Sequence, residues 1–180
     1  MKNCLGQVIL LIRFIAIILI SSGFAFSGYC LAAYQKKRVD IISDILLMLS
    51  VIHTQIRYTC VPVNDLLVIL TENSRLKGLK FIFRCRQKAE SGEVFPIAWK
   101  ESLYEEKEFC RIAGNALSYL IQLGDDLGAT DLDGQLSCCE YYKQFFLKEL
   151  KEREEQNKKY SKLLPTLGVM LGISAAIIIV

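Results

Sequence analysis

The chain has 180 residues, 52% of them apolar, with a mean hydropathy of +0.31 and a formal charge of +3. That length leaves room for one soluble domain of ordinary size, and the apolar share exceeds what such a domain needs. The excess is concentrated at the ends: Arg13 is the only charged residue between positions 5 and 34, and positions 163–180 carry none.

The remaining charge is segregated as well. Lys36, Lys37 and Arg38 follow the first apolar run, and Lys158, Lys159 and Lys162 precede the second. Residues 39–157 hold 14 basic and all 19 acidic residues, a net of −5. A cationic collar beside an acidic middle suits anionic lipid headgroups, and it excludes a nucleic-acid surface, which needs a basic stripe. The seven cysteines are odd in number and contain no C-x-x-C. They read as reduced thiols in a cytoplasmic setting, not as a disulfide framework.

In chain order, residues 1–13 form a short extracytoplasmic N-terminus and residues 14–34 a transmembrane helix. About 20 apolar residues match the hydrocarbon thickness of a bilayer. A cleaved signal peptide is the competing reading, with a weak site at Ala25-Phe26-Ser27. The length of the run and the cationic stop directly after it favour an uncleaved anchor. Residues 163–180 are a second transmembrane helix near the lower length limit. Gly168 and Gly172 lie on one stripe of it, and Pro165 is either in its first turn or a kink in a helix arriving from the domain. Both cationic clusters flank the middle segment, so the positive-inside rule puts residues 39–157 in the cytoplasm and both termini outside.

The middle segment has helical periodicity throughout. Ile42, Ile45, Leu46, Leu49, Ile52 and Ile56 form the stripe of a first helix. A second starts near Pro62, a third covers 79–89 and stops at Ser91-Gly92, and a fourth opens at Phe95-Pro96. A fifth is predicted as one unbroken helix from Phe109 to Leu127, closed by Gly128. Asp131 is the expected N-cap of a sixth, whose inward face carries Leu132, Leu136, Cys139, Tyr142, Phe146 and Leu150. The charged stretch 148–159 is expected to be a solvated continuation of that helix. The fold class is therefore all-α: a six-helix cytoplasmic bundle flanked by N- and C-terminal transmembrane helices.

Residues that would carry chemistry do not converge. His53, the one histidine, lies on the core side of the first helix and reads as a structural imidazole. No cysteine has a metal-ligand partner at zinc spacing, and neither G-x-x-x-x-G-K-[ST] nor G-x-G-x-x-G occurs. The expectation is a non-enzyme without metal or cofactor, serving as a membrane platform that presents a surface to other proteins. A membrane-bound ligand sensor or regulator, and a weak thiol enzyme, are the alternatives from other classes.

Several motifs in one order resemble the stage III sporulation protein AB family over nearly the whole chain. HTQIRY from His53 and VPVNDLL from Val61 are similar to its E-x-x-Y-x-x-x-P-L-x-x-A-L segment, and AWKESL around Trp99 to its A-W-x-x-A-L. The most specific piece places Gly124, Leu127, Gly128, Asp131 and Gln135 on G-x-x-L-G-x-x-D-x-x-x-Q. KYSKLLPTLGVMLG from Lys159 looks like the family's K-Y-x-x-x-x-x-L-G-V-L-x-G. Thr54, Leu67 and Pro165 depart from the pattern and put local helix contacts in doubt. The resemblance implies a domain similar to the F-type platform of type II secretion, in the mother-cell membrane around a forespore. It implies as partners a companion ATPase, stage III sporulation protein AA, and other membrane components of the complex; a homo-oligomer is a further expectation.

The glycine-rich motif has two physical readings. Gly124, Gly128, Asp131 and Gln135 build the corner between the last two helices, the glycines permitting close approach and Asp131 capping, while Trp99 of the fourth helix is a further structural motif residue. Alternatively the acids beside it, Asp125, Asp126 and Asp133, contact the partner.

Overall fold

The structure, a computed structural model, describes residues 2–59, 61–127, 129 and 131–179, with side chains described only in part within 2–25 and 161–179. Among the described residues there are seven α-helices and a single 3₁₀ turn, with no strand. The helices are α1 (Lys2–Thr59), α2 (Val63–Glu72), α3 (Lys80–Glu90), α4 (Phe95–Glu105), α5 (Lys107–Ala113), α6 (Ala116–Asp126) and α7 (Leu132–Ile179), with the 3₁₀ turn at Ser74–Leu76. The chain divides into a compact unit, Lys37–Arg153, and a second unit made of the two terminal segments.

Among the described side chains of the terminal segments, Ile18, Leu19, Phe26, Leu163 and Met170 are all exposed. The hydroxyls of Ser22 and Ser27 donate to the carbonyls of Leu19 and Gly23, and that of Ser174 to Met170, so each of these three is met within its own helix. The described part of α1, Phe26–Thr59, is long and apolar enough by length and composition to cross a membrane. The Gly168–Gly172 stripe and the question of a kink at Pro165 concern side chains outside the described set, although α7 is helical through those positions.

The compact unit follows the predicted periodicity for most of its length. Ile42, Ile45, Leu49, Ile52 and Ile56 are all buried, confirming the inward stripe of α1. Pro62 sits at the N-cap of α2, where its carbonyl accepts from Leu66 N–H and its own missing N–H costs nothing. At the end of α3 the chain turns through Gly92 at φ +96°, and Pro96 stands in the first turn of α4. Cys139, Tyr142 and Phe146 of α7 join the same core, but Leu132, expected to face inward with them, is the first residue of α7 and is 43% exposed.

One element differs. The single helix expected over 109–127 is two, α5 and α6, broken at Gly114. Gly114 has φ +58°, a conformation that L side chains rarely adopt. The break hides from the sequence pattern because Phe109, Ile112 and Ala113 end one apolar face just where Ala116 and Leu120 begin another. Apolar spacing alone does not register a change of axis.

The second correction concerns the charged stretch 148–159, expected to be solvated. Within it Arg153 is only 3% exposed. Its guanidinium donates to the Ala113 carbonyl at 2.7 Å and to those of Ile112 and Arg38 at 3.3 Å, and it pairs with Glu149 at 2.6 Å. The final carbonyls of a helix have no intrahelical donor. Arg153 supplies donors to those of α5 at the point where Gly114 stops it, and ties α7 to α1 through the Arg38 carbonyl.

Replacing Arg153 with methionine keeps much of the side-chain volume but withdraws those donors. Leaving buried carbonyls unmet costs about 1–3 kcal/mol, so chemical denaturation of the R153M chain in detergent should show a loss of that order. An unchanged midpoint would mean that the guanidinium does not secure α5.

Candidate functional site

The corner singled out in the sequence is built on Trp99. α4 places this indole at the centre of the core, 1% exposed, edge-on to Phe81 with ring centroids 5.1 Å apart and tilted against Phe95 at 5.5 Å. Its Nε1–H donates to the Leu120 carbonyl of α6 at 2.8 Å. A buried indole N–H needs such a partner, and a mid-helix carbonyl is reachable only if the helix comes close. Gly124, one turn beyond Leu120, supplies the room. A Cβ there would lie 2.2 Å from Trp99 Cδ1. The structure therefore brings Trp99 and Gly124 together, two residues from motifs 25 positions apart in sequence.

Beyond Leu127 the corner closes on Asp131. Its Oδ1 accepts from Gly134 N–H at 3.0 Å while its carbonyl accepts from Gln135 N–H at 2.9 Å, the pattern of an N-cap for α7. Gly128 lies outside the described residues. Gln135 is half-buried and lines a recess of about 230 Å³ with Ile56, Pro62 and Leu132. This recess offers a single polar side chain among apolar neighbours, too little to orient a small ligand.

The three acids beside the corner are not equivalent. Asp125 and Asp133 are exposed. Asp126 is half-buried and its Oδ2 accepts from the Tyr142 hydroxyl at 2.6 Å. Burial first, and then the Asp126 carboxylate, push the Tyr142 phenol well above its ordinary range. Asp126 thus has a structural role that spacing did not reveal; both are ordinary polar residues until the helices are packed. Across the unit, α3 and α4 are laced by Lys88 with Glu101 and Glu105 and by Arg84 with Glu106. Hydrogen bonds that Lys88 donates to the Glu101 and Glu105 carboxylates hold it protonated well above its usual range. These pairs are solvent-facing and contribute little each.

His53 is half-buried on α1. Cys85 and Cys139 are buried, Cys110 and Cys138 half-buried and Cys30 exposed. Desolvation pushes the Cys85 and Cys139 thiols up to about 12, and those of Cys110 and Cys138 upward as well. A nucleophilic cysteine needs the opposite shift. Among the described residues no group of three or more His, Cys, Asp or Glu side chains converges to hold a metal ion.

A family model described as stage III sporulation protein AB matches residues 13–180. No curated protein and no solved structure matches the chain. The matched range takes in both apolar segments and every residue of the Trp99–Gln135 corner.

Two outcomes are expected. In Gly124→Ala the methyl group must displace the indole or separate α4 from α6; overpacking of this kind costs about 1–3 kcal/mol, more than alanine's helix propensity returns. A melting temperature equal to or above that of the parent chain would exclude the close approach. Alkylation with iodoacetamide at pH 8 should leave Cys85 and Cys139 unmodified in the folded chain and modify them after denaturation. Because their thiols ionise at 9.0 in an ordinary setting and near 12 here, the folded state should lose stability as pH rises through that interval, where only the unfolded chain gives up these protons.

Proposed function

The chain belongs to the stage III sporulation protein AB family, and from that premise we propose that it is a membrane-held platform of the sporulation stage III channel complex. In this reading residues 14–34 and 163–180 both span the mother-cell membrane around the forespore. The helical unit lies in the cytoplasm and docks the companion ATPase, stage III sporulation protein AA. The family is one of sporulation proteins, not a known enzyme family, and its membership with the apolar first helix supports membrane association.

The single observation that carries the reading is continuity. α1 is one helix from Lys2 to Thr59 and α7 one helix from Leu132 to Ile179. Each helix therefore holds both an apolar, nearly charge-free terminal stretch and core residues of the packed unit, among them Ile45 and Ile52 of α1 and Cys139 and Phe146 of α7. The chemistry of the unit supports a binding role too: the thiols of Cys85, Cys110, Cys138 and Cys139 are raised, and the polar groups of Trp99, Asp126 and Tyr142 are spent on packing.

For the docking surface we take the exposed carboxylates of the α6–α7 corner. Of Asp125, Asp126 and Asp133 the first and last are exposed and Asp126 is half-buried, Leu132 next to Asp133 in the chain is exposed, and an acidic patch with an apolar residue suits a basic surface on the partner. Asp126 is left intact in the test because it holds Tyr142. The variant Asp125→Lys/Asp133→Lys should lower capture of the ATPase by the detergent-solubilised chain at least about tenfold, as like charges oppose docking, with circular dichroism unchanged. Full capture by this variant would remove the corner as the docking surface. Failure of the parent chain to capture the ATPase would remove the partner.

A further inference from the structure

Residues 75–88 contain six basic and no acidic residues, inside a middle segment that is otherwise strongly acidic. Where the 3₁₀ turn leads into α3, this segment lines a groove of about 420 Å³. Leu70, Leu76, Leu79 and Ile82 are buried and form its floor. Phe83 stands beside them with 56% of its surface exposed. Lys77, Lys80 and Arg84 provide its cations, and no carboxylate lines it. Arg84 is engaged by Glu105 and Glu106. Lys77 and Lys80 are exposed, and among the described residues neither makes an ion pair.

The groove's position in the compact unit is informative. Gly78 lies against Asp44 of α1, where an added Cβ would come within 3.1 Å of Oδ2. Asp44 is seven residues beyond Lys37, or about 10 Å at the helical rise. Lys37 also pairs with Glu108, whose carboxyl it holds low, with a lesser pull from Lys80. The groove therefore opens at the end of the unit where α1 comes in at Lys37. Carboxylates nearby include Asp40, Asp44 and Glu108 besides the Glu105 and Glu106 that engage Arg84; Glu108 is paired with Lys37, and Arg75 lies close to Asp44.

We propose that this groove binds the anionic headgroup of a membrane phospholipid, with Lys77 and Lys80 on its phosphate and Phe83 entering the boundary between headgroups and acyl chains. An acidic amphipathic protein segment would meet the same charge and apolar surface. Two features decide for lipid: Lys80 of the groove and the collar residue Lys37 act on the same Glu108, and an exposed aromatic beside lysines suits the headgroup boundary. The proposal rests on the membrane-held reading above, and it adds a contact through which lipid charge fixes the unit against the bilayer.

The test uses the full chain in phosphatidylcholine nanodiscs containing trace photoactivatable phosphatidylglycerol, with cross-links mapped by peptide mass spectrometry. Labelling is expected in the apolar terminal segments and in the peptide carrying Phe83, and at the latter more from the phosphatidylglycerol probe than from a phosphatidylcholine one. A lysine at an anionic surface is worth about fivefold, so Lys77→Glu/Lys80→Glu should cut labelling at Phe83 at least about tenfold. Lys77→Gln/Lys80→Gln should give an intermediate loss. Both variants should leave terminal labelling and the circular dichroism spectrum unchanged, and millimolar inorganic phosphate should not displace the probe. Labelling confined to the terminal segments, equal labelling by the two probes, or displacement by phosphate would overturn the proposal while leaving the membrane reading intact. So would labelling of the groove by a photoreactive acidic peptide but not by lipid. Absence of labelling anywhere in the chain would overturn the membrane reading itself.

Discussion

An indole at the centre of a small helical unit buries a large apolar area together with one N–H that has to be met. Trp99 meets it with the carbonyl of Leu120, which belongs to the neighbouring helix and lies well before that helix ends. Such a carbonyl is within reach only when α6 lies directly on the ring, and that approach is possible because Gly124 has no side chain. Phe81 and Phe95 then pack around the ring from α3 and the start of α4. The placement of three helices, α3, α4 and α6, follows from this one hydrogen bond and the missing methyl group that allows it.

Setting α6 on Trp99 has a consequence for the helix before it. α5 cannot continue on the same axis, and the chain turns at Gly114, exposing the last carbonyls of α5 inside the fold. Arg153 reaches back from α7 to meet them and the carbonyl of Arg38 as well. A guanidinium suits this task because its donors are fixed in a planar fork and it stays charged at any working pH. It also closes the unit where the first and last helices meet it, so the break in one helix becomes the tie between two others.

The charge pattern gives the unit two unlike regions. The α6–α7 corner presents exposed acids and exposed Leu132, and the groove at the start of α3 presents exposed lysines beside Phe83. On the proposed reading these serve different neighbours: the acids a basic protein partner, the lysines the lipid at the level where α1 comes in. Neither demands catalysis, and the raised thiols of Cys85 and Cys139 sit in the same core that gives the unit its shape.

The sequence by itself determined the helical class, the apolar stripe of α1, the stops at Pro62 and Gly92, and the cap at Asp131. It did so because these are local matters: periodicity, fixed φ angles and a side chain reaching its own next turn. Asp126, Gly114 and Arg153 show where that reading stops. Asp126 looked like one of three equal acids until Tyr142 was packed beside it. Gly114 interrupted no apolar pattern, and Arg153 lay in a run of charge that reads as solvent-facing. The tertiary structure alone decided the pairing of Trp99 with Gly124, the break between α5 and α6, the burial of Arg153 and the groove at Lys77 and Lys80. Each depends on which helices lie side by side, a question settled by long-range packing and the demand that every buried polar group find a partner.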